Sequence, residues 1–157
     1  MTDFAIPIVW VNYPITTPSG PAIGGLGHAG VVIVNGSTGH TRYFEYGRYD
    51  HDADGDPIGM VKTRSVPNLA IANDIIDGRS LRNMVASLNA SAGKGTPATG
   101  ALLPLDSGGY DAALSYALQA QEDEAGTLGE YSWWNDNHCY SFAKAVAAAG
   151  GLMGGLV

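Results

Sequence analysis

The sequence predicts an α+β fold: a single domain in which an antiparallel sheet is packed with helices. Two neighbouring β-branched and aromatic segments flank an Asn-Gly turn, which is typical of a hairpin. Later segments instead place apolar residues at helical spacing. The 157 residues show no repeat and no clear linker, and their number is typical of one domain. Residues 1–157 are therefore expected to form one unit.

The strands of this fold are predicted mainly in the first half of the chain. Residues 5–13 are apolar and β-branched and form the first strand. Residues 28–34 and 40–46 form a hairpin around the turn at 35–39, where Asn and Gly adopt positive φ readily. Residues 58–69 are also expected to be extended.

The linking segments are predicted from glycine, proline and acidic residues. Residues 14–27 hold three prolines and several glycines, which indicates a loop. Residues 49–57 are rich in aspartate and are expected to form an acidic loop. Short strands are predicted at 102–105 and, from its aromatic residues, at 131–134.

Three helices are predicted from apolar spacing and from glycine stops. The first spans 78–90, where Leu81, Met84, Val85 and Leu88 recur at helical spacing. The second spans about 109–121. The third is an alanine-rich run over 138–149 that ends at two glycines.

Composition excludes several classes of function. Apolar residues make up 45% of the chain and charged residues 15%, which is typical of a folded domain. The net charge of −7 argues against nucleic acid and anionic membrane surfaces, which favour clustered Lys and Arg. No apolar run is long enough to span a bilayer. The first residues lack a basic, signal-like region, so we expect synthesis in a cytoplasm without a signal peptide and export only by a dedicated machine.

Cys139 is the single cysteine, so the chain cannot form an internal disulfide. It lies at the predicted start of the last helix, with Asn137 or Asp136 as the expected N-cap. Unpaired N–H groups and the helix dipole favour a thiolate at this position, and the same N–H groups can hold an oxyanion. The alternative is that Cys139 is a small buried hydrophobe, as most free cysteines are.

A catalytic thiol needs a base, and His28 is the best candidate among the four histidines. It opens a strand directly after a glycine-rich loop, which leaves room for a substrate or for the thiol-bearing helix. His138 is adjacent to the cysteine, and neighbouring helical side chains diverge. His40 is expected at the far end of the hairpin, and His51 in a solvated loop.

A third group would orient the imidazole from the strand paired with His28. If the turn is centred near Ser37, either Glu45 or Tyr46 lies opposite His28. Glu45 is the preferred candidate because a carboxylate would fix the tautomer and stabilise the charged ring. A shift of one residue in the turn decides between the two.

At these three segments the sequence resembles the circularly permuted papain-like cysteine hydrolases. This group includes relatives of the NlpC-type peptidoglycan endopeptidases, lecithin–retinol acyltransferase-like enzymes and PPPDE-type enzymes. In it, His comes first on a hairpin strand, a polar residue follows on the next strand, and Cys comes last at a helix start. The matching segments are Gly-His-Ala-Gly-Val-Val-Ile-Val at 27–34, Tyr-Phe-Glu-Tyr-Gly at 43–47 and Asn-His-Cys-Tyr-Ser-Phe-Ala at 137–143. One departure is that His138 separates the Asn from the Cys.

The resemblance implies a permuted papain-like (NlpC-type) fold with Cys139 as nucleophile, His28 as general base and Glu45 as orienting residue. The implied reaction is amide cleavage through a thioester acyl-enzyme, with no cofactor. The backbone N–H of Cys139 would donate to the oxyanion. Substrate-binding candidates are Trp134, Asn137 and Tyr46, although Trp134 also suits a buried strand position.

A small acidic chain of this kind without a signal peptide also resembles bacterial effector amidases delivered by a type VI secretion system. The resemblance implies a peptidoglycan peptide as substrate, in the periplasm of a rival cell. It also implies two partners, an immunity (inhibitor) protein and a component of the secretion machine.

Two other interpretations stay open at this stage. Asp50, Asp52 and Asp54 match the start of a calcium loop, but Val61 stands where the bidentate acid is expected, so a solvated acidic turn is the alternative. The rival functions are a protein-directed cysteine (iso)peptidase, a lipid acyltransferase of the same fold, or a non-catalytic binding domain with a buried Cys139.

Overall fold

The structure, a computed structural model, describes residues 1–14, 27–51, 53–54, 57–123, 128 and 138–151. These residues form eight strands and three helices. The strands are β1 Phe4–Trp10, β2 His28–Val34, β3 Thr41–His51, β4 Pro57–Arg64, β5 Ile71–Ala72, β6 Ile75–Ile76, β7 Thr99–Gly100 and β8 Leu103–Pro104. The helices are α1 Gly78–Ser91, α2 Gly109–Glu122 and α3 Cys139–Ala149.

The main sheet is antiparallel and has the order β4-β3-β2-β1-β7, with β8 also pairing with β1. β5 and β6 form a separate two-stranded ribbon. β2 lies at the centre of the sheet and is buried on both faces along its whole length. Its sequence is therefore mostly apolar and does not alternate between apolar and polar residues. The prediction of an α+β fold on an antiparallel sheet is confirmed.

The β2–β3 hairpin forms as predicted, but in a different register. Residues 35–40 connect the strands, with a 2.9 Å backbone hydrogen bond between the first and the last of them. Glu45 consequently lies opposite Gly30, and the prediction that Glu45 or Tyr46 lies directly opposite His28 is wrong. Since side chains alternate along a strand, Glu45 and His28 still share one face of the sheet.

Helices cover both faces of the sheet and divide the core in two. On one face, α1 packs its buried Met84 and Leu88 against apolar side chains of β1, β2 and β3. On the other, α2 and α3 pack together over Val31, Ile33 and Phe44. Helix α3 therefore packs against β2 through apolar side chains, and this packing places the N-terminus of α3 at the end of the sheet.

Several predicted boundaries differ from those of the structure. The predicted loop at 49–57 is partly strand, because β3 continues to His51 past a register shift between Gly47 and Asp50. β1 ends at Trp10, and β4 ends at Arg64, before Pro67. The strand predicted at 131–134 lies outside the described residues. None of the described helices is long and apolar enough to cross a membrane.

Candidate active site

His28 begins β2 and lies at the end of the sheet among aromatic rings. Trp10, its register partner on β1, stacks on the imidazole with ring centres 5.8 Å apart and planes at 17°. Tyr13 lies against it at 4.9 Å, and Tyr49 meets it edge-on at 6.4 Å. Only 7% of His28 is exposed. The ring is therefore held in one orientation by packing before any hydrogen bond is counted.

Glu45 is fully buried and binds His28 directly. Its Oε2 is hydrogen-bonded to Nε2 of the imidazole, and the hydroxyl of Tyr49 donates to the same oxygen at 3.1 Å. Its other oxygen, Oε1, accepts a hydrogen bond from Nε of Arg64. Tyr43 donates to Oε2 at 3.3 Å. Because a buried carboxylate is costly unless paired and hydrogen-bonded, these four partners are what allow Glu45 to stay ionised.

Cys139 is the first residue of α3 and is 4% exposed. Its side chain lies close enough to that of His28 to raise the pKa of the imidazole. Since Glu45 holds Nε2, Nδ1 is the ring nitrogen left to exchange a proton with the sulfur. The N-cap is His138, not Asn137 or Asp136 as predicted. The Ser141 hydroxyl accepts from the His138 N–H at 2.8 Å and closes this first turn.

The cluster changes the acid strength of its members. Burial, the largest single effect, lowers the pKa of His28, but hydrogen bonds and charge from Cys139 and Glu45 outweigh it and raise that pKa from 6.5 to about 9. Burial would raise the pKa of Glu45, yet the bonds and charges of His28 and Arg64 hold it below its usual value. The imidazolium is thus the favoured form of His28 at neutral pH, beside an ionised Glu45.

Three of the predicted residues meet, and Tyr46 does not join them. Cys139, His28 and Glu45 come together as described above. Tyr46 is fully buried on the opposite face of the sheet, with its ring 5.8 Å from that of Phe142, so it does not reach His28 and its burial speaks against contact with substrate. Trp134 and Asn137 lie outside the described residues.

The calcium-loop prediction stays a prediction. Asp52 and the side chain of Asp50 lie outside the described part of the chain, while Asp54 is exposed. Within the described ranges, no group of three or more His, Cys, Asp or Glu side chains could hold a metal ion. The contacts of His28 and Glu45 are hydrogen bonds to each other and to neighbouring side chains.

Sequence reasoning missed three members of the site, Arg64, Tyr43 and Tyr49. Arg64 is at the end of β4 and lies opposite Tyr43 of β3, two residues from Glu45. Arg64 could not be chosen from the sequence, because its role depends on the β3–β4 register, in which Lys62 lies directly opposite Glu45. Tyr49 could not be chosen either, because the register shift in β3 that brings it to His28 has no signal in the sequence.

This geometry suits nucleophilic catalysis. A sulfur at a helix N-terminus can attack a carbonyl carbon, and the adjacent imidazole can exchange a proton with it. The backbone N–H of Cys139 is at the first helical position, where no intrahelical acceptor exists. Such an N–H group can donate to a negatively charged oxygen. The cluster therefore contains the groups needed for acyl transfer.

Comparison with known proteins gives one family and one solved structure. The family model for TseH-like type VI secretion system effectors matches residues 5–151. The crystal structure of the type VI secretion system effector TseH is similar, with 30% sequence identity and a TM-score of 0.76. That match covers 94% of this chain and 76% of the TseH chain. A search of curated protein sequences found no match.

Proposed function

The chain belongs to the TseH-like family of type VI secretion system effectors, and on that premise we propose that it is a cysteine hydrolase acting on peptidoglycan. It cleaves amide bonds in peptidoglycan peptides as an amidase or endopeptidase. The proposed fold is a single permuted papain-like (NlpC-type) domain over residues 1–157. Its place of action is the periplasm of a target cell, and its proposed partners are an immunity protein and a component of the secretion machine.

The observation that carries the proposal is the position of His28 between Cys139 and Glu45. A structural cysteine needs no imidazole, and a binding domain with an inert thiol has no need of a buried histidine close to it. An ionised carboxylate on the far nitrogen gives the ring a fixed tautomer. All three groups are held by secondary structure, two by strands and one by a helix start.

The proposed reaction follows from these positions. With its proton held on His28 as the imidazolium, Cys139 Sγ attacks the carbonyl carbon of the scissile amide. The resulting oxyanion accepts from the N–H of Cys139, and His28 then donates its proton to the leaving nitrogen as the C–N bond breaks. This leaves a thioester. His28, now neutral, takes a proton from a water molecule that attacks the thioester carbonyl. The C–S bond breaks, the acid product leaves, and the Cys139 thiolate and the His28 imidazolium are regenerated.

The deciding experiment is a digestion of purified peptidoglycan by the wild-type chain and by Cys139→Ala, with mass spectrometry of the fragments. We expect new peptide fragments from the wild type alone. His28→Ala should behave like Cys139→Ala, whereas Arg79→Gln, an exposed change in the first turn of α1, should digest like the wild type. No fragments from wild-type protein with a reactive thiol would exclude peptidoglycan as the substrate. Protein and lipid substrates would then be tested with the same pair.

A further inference from the structure

Two lysines flank His28, each placed over an aromatic ring that contacts the imidazole. The ammonium of Lys62 is 4.2 Å from the centre of the Tyr49 ring, and the hydroxyl of that tyrosine is 3.3 Å from Nε2 of His28. The ammonium of Lys94 is 4.6 Å from the centre of the Tyr13 ring, which lies 4.9 Å from the imidazole. In each case one aromatic ring lies between the ammonium group and His28, the proposed catalytic base.

Neither lysine is used by the hydrogen-bonded cluster. The two oxygens of Glu45 are taken by His28 and Arg64, although Lys62 is the register partner of Glu45 on β4. Within the described ranges, neither ammonium forms an ion pair. Among the described residues, Lys94 donates one hydrogen bond, to the carbonyl of Pro14 at 3.4 Å, besides its contact with the Tyr13 ring. A lysine prefers a counter-ion, so these two cations are available to an anionic ligand.

The backbone gives a second reason to regard Lys94 as more than a turn residue. It follows α1 with φ at 51°, in the left-handed region where glycine is less strained than any side chain. Glycine stands on both sides of it in the sequence. The turn alone would favour a third glycine, so the lysine is not explained by the local backbone.

Cations at the candidate active site can offset the net negative charge of the chain. With a net charge of −7, the chain repels an anionic ligand at long range. Lys62, Arg64 and Lys94 are three of its eight Lys and Arg residues, and all three lie within one side chain of His28 or Glu45. Because Arg64 is paired with Glu45, Lys62 and Lys94 are the lysines that add positive charge beside His28 in this acidic protein.

We propose that Lys62 and Lys94 determine specificity by binding carboxylate groups of an anionic peptide substrate on two sides of His28. The inference rests on the proposed hydrolase and names its substrate class: peptides with free carboxylates close to the scissile amide, as peptidoglycan stem peptides have. Amidation of these carboxylates removes the charge that the lysines bind.

The test compares alkylation of Cys139 by iodoacetate and by iodoacetamide, two reagents that attack the same thiol and differ in a carboxylate. The measured quantity is the rate constant for iodoacetate divided by that for iodoacetamide at low salt. It is normalised by the same ratio for free glutathione. We expect Lys62→Gln and Lys94→Gln each to lower it about threefold, which is the effect of one charge over about 6 Å at the dielectric of water. Lys62→Arg and Lys94→Arg should retain the ratio, and Arg79→Gln controls for net charge.

The outcomes separate this inference from the proposed hydrolase. An unchanged ratio in the Lys62→Gln, Lys94→Gln double variant, with a reactive thiol, overturns carboxylate binding and leaves the hydrolase standing. A folded wild type that reacts with neither reagent overturns the nucleophile, and the inference with it. The same variants are then assayed on a stem peptide and its carboxamide. The wild type should cleave the free acid with the higher kcat/KM, and the double variant should lose that preference.

Discussion

Replacing Glu45 with glutamine is expected to lower the pKa of His28 and to slow the reaction. Glutamine keeps the shape and an acceptor oxygen but removes the charge. The rise of the His28 pKa from 6.5 to about 9 corresponds to roughly 3 kcal/mol in favour of the imidazolium. Burial acts against this rise. Interactions with Cys139 and Glu45 outweigh the effect of burial.

Without the charge of Glu45, burial and the nearby guanidinium of Arg64 both disfavour the imidazolium. The pKa of His28 should therefore fall by at least about one unit. An imidazole that protonates less readily takes the thiol proton less readily, so kcat/KM should fall by about 10²- to 10⁴-fold. The loss should exceed that of Tyr49→Phe, which removes one hydroxyl from Glu45 and leaves the charge in place.

The assay is an NMR titration of the His28 Cε1–H resonance between pH 5 and 10 in the two variants and the wild type. The resonance is assigned with His28→Asn. Circular dichroism at neutral pH establishes that each variant is folded. A His28 pKa in Glu45→Gln within about 0.3 units of the wild type would refute the electrostatic role given to Glu45.

Three further results are expected. Arg64→Met should lower the free energy of unfolding by about 2 kcal/mol, measured with urea at pH 7, because it removes one of the two cations bound to the buried Glu45; a loss below about 0.5 kcal/mol would contradict this. Stability should be greatest between the unfolded pKa values of 4.5 for Glu45 and 6.5 for His28. It should fall at acid pH, as Glu45 is protonated through its lowered pKa, and at alkaline pH, as His28 loses its proton through about 9; equal urea midpoints at pH 5.5 and 9.5 would count against this. Gly30→Ala should cost about 1–3 kcal/mol by the same urea measurement, since a Cβ there would lie 2.3 Å from the Tyr43 hydroxyl, and an unchanged midpoint would show that Tyr43 moves freely.

The sequence predicts most of the fold because its local signals agree with the tertiary packing. Helix α1 has Asp77 at its N-cap, whose carboxylate accepts from the N–H of Ser80 at 2.8 Å, and its apolar stripe faces the sheet. The central strand β2 is β-branched and wholly buried. Boundaries such as the end of β1 at Trp10 depend on where pairing partners stop, which a single segment does not encode.

The candidate site shows how one residue of register affects such a prediction. Placing the turn near Ser37 left Glu45 and Tyr46 as alternatives, since a shift of one residue exchanges the two faces of β3. In the structure Glu45 lies opposite Gly30, two residues along β2 from His28, its predicted partner. Because a shift of two residues keeps a side chain on the same face of the sheet, Glu45 still lies on the face of His28. Arg64 could not be chosen from the sequence, because its role depends on the β3–β4 register, which no turn signal fixed.

The charges of the cluster also explain how a buried site can carry out proton transfer. Arg64 and Glu45 form one pair of opposite charges, and Cys139 and His28 form either a neutral pair or a thiolate and an imidazolium. Moving the proton between sulfur and nitrogen leaves the net charge of the four groups at zero. Neither state therefore leaves an unpaired charge in the low-dielectric surroundings, where such a charge would be costly. Because Arg64 balances Glu45, the carboxylate can stabilise the imidazolium without a net negative charge in the core. Loss of Arg64 should thus affect both the folding and the acid–base properties of His28.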